Sequence, residues 1–375
     1  MTTTPESLTS AIPSALEAHI REAIGAAGGW IGFDDFMSRA LYTPGLGYYA
    51  NHHPKFGLLP GSGSDFATAP GMSPLFGRAL AAQLAEALEA TGTDTVWEFG
   101  AGTGELAAQL LGALGDSVQH YRIVELSATL RERQRERLAA FGARVEWVDA
   151  LPQAMAGVVV GNEVLDARPV KLLARSGGAW HERGVAVHDG RLVHADRPTA
   201  LRPPVEPEGR GDYPTEIHPQ AQAFMATLAQ RLAAGAGAGS GGAAFFIDYG
   251  FPESEYYHPQ RLMGTVMCHR AHRADADALA DVGDKDITAH VDFTGVALAG
   301  QDAGLNVLGY TSQGRFLLNC GLGPLMDAAS LPERAQAARL VHEHEMGELF
   351  KVLAFCTGEP WDALGFRAGD RTHAL

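Results

Sequence analysis

Val96-Trp97-Glu98-Phe99-Gly100-Ala101-Gly102-Thr103-Gly104-Glu105-Leu106 is a short apolar run that turns through three alternate glycines into a helical pattern. Glycine permits the tight turn and lets a ligand approach the backbone where a Cβ would collide. In a chain with 45 glycines such a turn is weak evidence by itself, so its neighbours decide what it means. Glu125 ends the next apolar run, Tyr121 to Leu126, 21 residues beyond Gly104. A carboxylate there accepts both hydroxyl hydrogens of a ribose, which predicts an adenosine-containing cofactor. Asp149 ends the third run, Arg144 to Asp149, where it or its backbone is expected to meet the adenine amino group.

Two cofactors compete for this frame. A dinucleotide fingerprint reads G-x-G-x-x-G, but Glu105 stands at the head of the helix, where a carboxylate repels a pyrophosphate. Glu98, two residues before Gly100, is poorly placed for phosphates and well placed for a ligand ammonium such as that of a methionine moiety. The residues favour S-adenosylmethionine, and with it a methyltransferase over the rival reading, a nicotinamide-dependent oxidoreductase. Gly100, Gly102, Gly104, Glu98, Glu125 and Asp149 are the expected cofactor contacts.

Outward from the turn, further apolar runs at 157–164 and 243–250 alternate with helical stretches, which predicts βαβ units and a parallel sheet covered on both faces. The runs at 306–313 and 349–358 flank a helical segment at 332–347 and are expected to close the sheet with an antiparallel edge. Residues 171–198 alternate apolar and polar around Ser176-Gly177-Gly178 and Asp189-Gly190 and read as an antiparallel meander packed on the main sheet. The glycine-alanine run 235–242 reads as a solvent loop between a helix and the next strand, with a flexible backbone that need not touch anything. Towards the N-terminus, Leu16, Ile20 and Ile24, then Ala79, Leu80, Leu84 and Leu88, fall at helical spacing. Between them, 42–74 is rich in glycine, proline and aromatics and is expected to form a lid or cleft wall that closes over the cofactor. The expected division is an N-terminal helical cap with lid loop (1–90), a catalytic domain with the β insertion (91–357) and a C-terminal tail (358–375).

Composition narrows the function classes. Lys and Arg number 29 against 44 Asp and Glu, a net charge of −15, which argues against a nucleic-acid partner. No apolar run approaches the roughly 18 residues that span a bilayer, so membrane insertion is not expected. Cys268, Cys320 and Cys356 fit neither a disulfide framework nor a zinc site. Glu6 and Glu17 precede the first basic residue, Arg21, unlike a transit peptide; a cytoplasmic protein is expected. The sequence leaves a homodimer open.

In open α/β sheets ligands sit beyond the carboxyl ends of the strands. The fourth strand delivers Asn162, Glu163 and Asp166 there, and the fifth delivers Asp248-Tyr249-Gly250. Clustered acids suit a cationic methyl acceptor, which they bind and relieve of a proton; Glu163, Asp166 and Asp248 are the catalytic candidates. In the blander reading Glu163 or Asp166 merely caps the following helix. Tyr48 and Tyr49 of the loop, His269 beside Cys268, and Asp292 are candidate acceptor contacts. His342-Glu343-His344-Glu345 reads as a solvated helical face, because residues two apart on a helix point different ways. No metal site is expected.

The stretch Asn162-Glu163-Val164-Leu165-Asp166-Ala167-Arg168-Pro169-Val170 resembles the N-E-hydrophobic-hydrophobic-D-x-x-P-V signature of the MidA-like methyltransferase family. The segments at 41–49, 64–77, 98–104, 124–127, 248–250, 287–293 and 346–351 agree in order, so the resemblance covers about residues 28–357. It implies a seven-stranded class I fold, S-adenosylmethionine as cofactor with Asp65, Thr68 and Asn162 among its contacts, and a protein arginine as acceptor. Mitochondrial members are complex I assembly factors, which implies a link to respiratory-complex assembly; a non-catalytic assembly chaperone that retains the cofactor site is the alternative. The chain departs from the pattern at Ser64 and at Ala69-Pro70-Gly71, where the family tends to place glycine and Ser-Pro-Glu; the missing acid puts substrate range in question.

Overall fold

The computed structural model describes residues 14–51, 68–209, 211–239, 241–270 and 273–375. The chain begins with α1 (Ala15–Ala26), β1 (Trp30–Gly32) and α2 (Phe33–Tyr42). Ser14 starts α1 by accepting the Glu17 N–H, and Leu16, Ile20 and Ile24 form its buried stripe. After α3 (Ala69–Met72) comes α4 (Pro74–Thr91), started by Ser73 and Pro74 and stopped by Gly92 in the left-handed conformation.

The βαβ series follows: β2 (Thr95–Phe99), α5 (Glu105–Leu114), β3 (His120–Val124), α6 (Ala128–Leu138), β4 (Val145–Trp147) and β5 (Gly157–Asn162). The insertion is β6 (Lys171–Ser176), β7 (Ala179–His188), β8 (Arg191–Pro198) and β9 (Tyr213–Ile217). The chain returns through α7 (Pro219–Gly237) to β10 (Gly242–Phe251) and continues with α8 (Glu253–Tyr256), β11 (Met267–Arg270), β12 (Arg273–Asp275), β13 (Asp286–Thr288), β14 (Val291–Asp292) and α9 (Phe293–Asp302). It ends with β15 (Asn306–Ser312), α10 (Gln313–Asn319), α11 (Leu322–Asp327), α12 (Leu331–Val341) and β16 (Phe350–Cys356).

The main sheet has the order β15-β16-β10-β5-β2-β3-β4, with β14 also pairing β10. Strands β4, β3, β2, β5 and β10 are parallel, and β16 runs antiparallel between β10 and β15. The antiparallel strand is thus one in from the edge, and β15 is the edge. Alternate residues of the same strands feed two cores. Val96, Val158, Val160 and Phe245 pack under α4, α5, α10 and α12, whereas Trp97, Val159, Ala244 and Phe246 pack under α7 and α9. Strand order reverses between β2 and β5, and this switch point opens a crevice above their carboxyl ends.

Three expectations are corrected. The meander does not lie on the main sheet: β1 joins it in a separate sheet, β1-β7-β6-β9 with β8 on β7, which buries Val185 against Ile20, Phe33 and Phe36 of the cap. The glycine-alanine run is not free of contacts, because α7 continues to Gly237 and a Cβ on Gly235 would stand 1.8 Å from the Met155 carbonyl oxygen. Helix α12 ends at Val341, and His342 to Glu345 lie past it in a wide turn where Glu345 leaves helical geometry. The C-terminal residues 358–375 lie against the edge strand: the Asp370 carboxylate accepts the Tyr310 N–H at 3.0 Å and the Thr311 hydroxyl donates to Gly369 O.

Gly235→Ala tests the helix–strand packing. The added methyl must displace the Met155 carbonyl, and we expect a loss of roughly 1–3 kcal/mol of stability in urea unfolding, against near neutrality for Gly237→Ala, whose Cβ meets nothing.

Candidate active site

The turn after β2 needs its glycines. Gly100, Gly102 and Gly104 have φ of +64, +53 and +76, values that a side chain makes costly. The Gly100 N–H donates to Val124 O at 3.0 Å, and a Cβ on Gly100 would lie 2.7 Å from Val164, so this turn is packed directly on the turn that follows β5. Between them lies a cavity of about 580 Å³. Its wall includes Glu98, Gly100, Gly102 and Glu125 at one end, Asn162 and Glu163 at the β5 end, and Thr68, Tyr42 and Tyr49 on the cap side.

Glu98 is buried at the end of β2 and accepts the Tyr121 hydroxyl at 2.6 Å. Burial pushes its carboxyl up to about 7, against the pull of the Tyr121 hydrogen bond, and the Glu125 charge adds to the rise. Glu125 is raised by burial too, although it accepts the Ser127 N–H at 2.9 Å and the Gln134 amide at 3.2 Å. Gln134 also donates to Gly102 O at 2.8 Å and accepts from Trp147, so one buried amide locks the glycine turn to Glu125.

Glu163 has φ of +55, a left-handed backbone rare outside glycine. Asn162 donates to Glu163 Oε1 at 2.9 Å. Burial, then the charge of Asp166, pushes the Glu163 carboxyl up to about 8. The Asn162 carbonyl oxygen and Arg168 Nε are buried without a partner, and the Arg168 guanidinium lies 4.1 Å over the Phe224 ring.

The expected site residues separate into three groups. Glu98, Gly100, Gly102, Glu125, Asn162, Glu163, Thr68 and Tyr49 meet on the cavity wall. Gly104, Asp149, Asp166, Asp248, Tyr48, His269 and Asp292 do not line it. Gly104 precedes α5 in the left-handed conformation, with Gln134 beside it. Asp149 has an 85% exposed side chain that pairs with Arg131 at 2.5 Å, and Leu126 and Leu151 line the cavity in that region instead. Asp166 sits behind Glu163, taking the Tyr249 hydroxyl at 2.7 Å, and burial raises it to about 6. Asp248 is fully buried against backbone N–H groups, Tyr48 is buried in the cap core, and His269 lies on β11. Asp292 caps α9 through the Gly295 N–H at 3.1 Å, a structural role that its sequence motif did not show. Asp65 lies outside the described residues. Tyr42, one of the aromatics expected in a lid or cleft wall, lines the cavity, whereas sequence reasoning missed Gln134, Arg168 and Phe224 as site residues. Arg168 was within reach, standing in the same signature as Glu163, whereas Gln134 and Phe224 arrive from helices with no local signal.

These groups fit S-adenosylmethionine. The left-handed glycines leave no Cβ to obstruct it, the unpartnered Asn162 oxygen awaits a donor, Glu125 keeps lone pairs for ribose hydroxyls, and Glu98 offers a carboxylate to an ammonium. Because Glu98 must be charged to hold that ammonium, affinity for S-adenosylhomocysteine should fall as pH drops below about 7. Calorimetry from pH 8.5 to 6 measures this, and Glu98→Gln should flatten the dependence while weakening binding. Gly102→Val should abolish binding with the circular dichroism spectrum retained.

A family model described as S-adenosyl-L-methionine-dependent methyltransferase matches residues 79–311. A solved structure from Burkholderia thailandensis, bound to S-adenosyl-homocysteine, is 48% identical with a TM-score of 0.90, and the match covers 97% of this chain and 100% of that one. Among characterised relatives, the mitochondrial protein arginine methyltransferase NDUFAF7 of Danio rerio is 27% identical over 374 residues, 90% of this chain and 84% of the relative. Its Homo sapiens counterpart is 26% identical over 366 residues, 85% of this chain and 78% of the relative. The cavity's fit to the cofactor and these likenesses agree, and the chain belongs to the MidA-like family of S-adenosyl-L-methionine-dependent methyltransferases.

Proposed function

We propose that this methyltransferase acts on the guanidinium of a protein arginine, and that Glu163 binds the acceptor and takes its proton. The observation that carries this reading is the placement of Glu163: a strained left-handed residue at the end of β5 that lines the cofactor cavity, with Asp166 behind it. Bound S-adenosylmethionine supplies the activated methyl group of its sulfonium. The protein's part is positional and electrostatic. Glu98, Glu125 and the glycine turn orient the cofactor, and Tyr42 and Tyr49, stacked at 5.7 Å, form an aromatic wall on the cap side. An arginine keeps its charge at neutral pH, so it cannot surrender a proton beforehand; an ionised Glu163 localises a lone pair on one nitrogen and receives the proton as that nitrogen is alkylated. A cationic acceptor also favours the charged form of Glu163, which burial alone disfavours.

The names of the two relatives above support the arginine reading, as does the local excess of carboxylates over Arg168. We extend the proposal to a cytoplasmic enzyme linked to respiratory-complex assembly, on the resemblance and on the three unpaired cysteines, all buried. The test incubates the protein and tritiated S-adenosylmethionine with extract of a strain lacking it, and hydrolyses the labelled protein. Label in methylarginine supports the proposal; label in another residue shifts the acceptor class; no label with intact cofactor binding favours the chaperone alternative. Glu163→Gln keeps shape and loses the base, so the transfer rate should fall about a hundredfold or more with S-adenosylhomocysteine affinity nearly unchanged.

A further inference from the structure

Asp248, late in β10, is fully buried and reaches neither solvent nor the cavity. Its Oδ2 accepts the backbone N–H groups of Val164, Leu165 and Asp166 at 3.1, 2.9 and 3.2 Å, and its Oδ1 accepts that of Tyr249 at 2.9 Å. One carboxylate therefore gathers the three residues that directly follow Glu163. Tyr249 works on the same turn from the side: its hydroxyl donates to Asp166 Oδ2 at 2.7 Å, while Asp166 Oδ1 takes the Ala167 N–H at 2.8 Å. Glu163 itself continues the sheet ladder, donating its N–H to Ile247 O at 2.9 Å. A left-handed non-glycine residue costs about 1 kcal/mol or more and persists only where its surroundings over-determine it.

We infer that Asp248 and Tyr249 are positioning residues for Glu163, the first holding the backbone turn that aims it into the cavity and the second holding Asp166 behind it. This rests on the role proposed above for Glu163. An amide cannot take over from Asp248, because either orientation turns an NH2 toward backbone N–H groups that need an acceptor. Tyr249→Phe removes one hydroxyl and keeps the ring contacts to His290 and Phe350 at 5.2 and 5.4 Å, so it leaves the fold intact. Asp166 is faced by Glu163, Asp248, the Arg168 guanidinium and Tyr249, and from the cap by Tyr42 and Tyr49. Without the hydroxyl, Asp166 loses the donor that fixes it behind Glu163.

The experiment uses the full chain, tritiated S-adenosylmethionine and the deletion-strain extract, with Asp248→Asn, Tyr249→Phe, Glu163→Gln and both double variants. S-adenosylhomocysteine binding is followed by calorimetry on each. We expect Asp248→Asn and Tyr249→Phe to lower the rate at saturating cofactor roughly tenfold or more, as misplacement of a reacting group does, with S-adenosylhomocysteine affinity within about twofold of wild type. Neither change should slow Glu163→Gln further, since each acts through Glu163. Losses that multiply with Glu163→Gln, or a weakened S-adenosylhomocysteine affinity, would each overturn the inference. Should Asp248→Asn not fold, Tyr249→Phe and its double decide the matter. If Glu163→Gln is slow while both single variants run at wild-type rate, the positioning role alone falls; if Glu163→Gln is itself fast, both readings fall.

Discussion

The site is organised by the burial of negative charge. Glu98, Glu125, Asp166 and Asp248 are buried and Glu163 half-buried at the carboxyl ends of four strands, and among the described residues Arg168 is the one arginine or lysine on the cavity wall. Taking a carboxylate out of water is costly unless hydrogen bonds, a proton or a cation compensates it. Each acid has its own compensation. Asp248 has four backbone donors, Glu125 has Ser127 and Gln134, Glu98 has Tyr121, and Asp166 has Tyr249 and the Ala167 N–H. Glu163 has the Asn162 amide and the Ala69 N–H, and it remains raised to about 8. The cavity is thus electrostatically complete only when cationic groups enter, which is the condition that a sulfonium, an ammonium and a guanidinium share.

The fold supplies this arrangement through the switch between β2 and β5. Two neighbouring turns leave the sheet there in left-handed conformations, one carried by glycines and one by Glu163. The first turn makes room for a ligand; the second presents a charge to it. They are packed on each other through Gly100 and Val164, so the spacing of the glycine turn and the acid is set by close-packed atoms.

What was legible in the sequence was local. The glycine turn, Glu98 and Glu125 reveal themselves because strand, turn and helix follow each other within a few residues, and the parallel sheet follows from repeated apolar runs. Roles that depend on long-range partners stayed hidden. Sequence shows which strand Asp248 ends and not that three N–H groups from 82 to 84 residues away occupy it. The pairing of Asp149 with Arg131 likewise leaves no sequence trace. Gln134 and Phe224 were missed because each reaches the site from the side of a helix whose apolar pattern records only packing. The cap was expected apart from the insertion, yet β1 pairs with β7 across more than 150 residues, a contact no local pattern encodes.

Proton linkage measures the central claim most directly. Burial biases the carboxyls of Glu163 and Glu98 toward their protonated forms in the free protein, raising them to about 8 and about 7. A cation beside either group lowers its pKa, so binding must release protons. Calorimetric titration with S-adenosylmethionine and with S-adenosylhomocysteine, in buffers of different ionisation enthalpy, counts them. The account predicts proton release with both ligands at pH 7.5, greater for the sulfonium than for the neutral thioether, and fading above pH 9, where both acids are already ionised. Proton-neutral binding of both ligands across this range would contradict it.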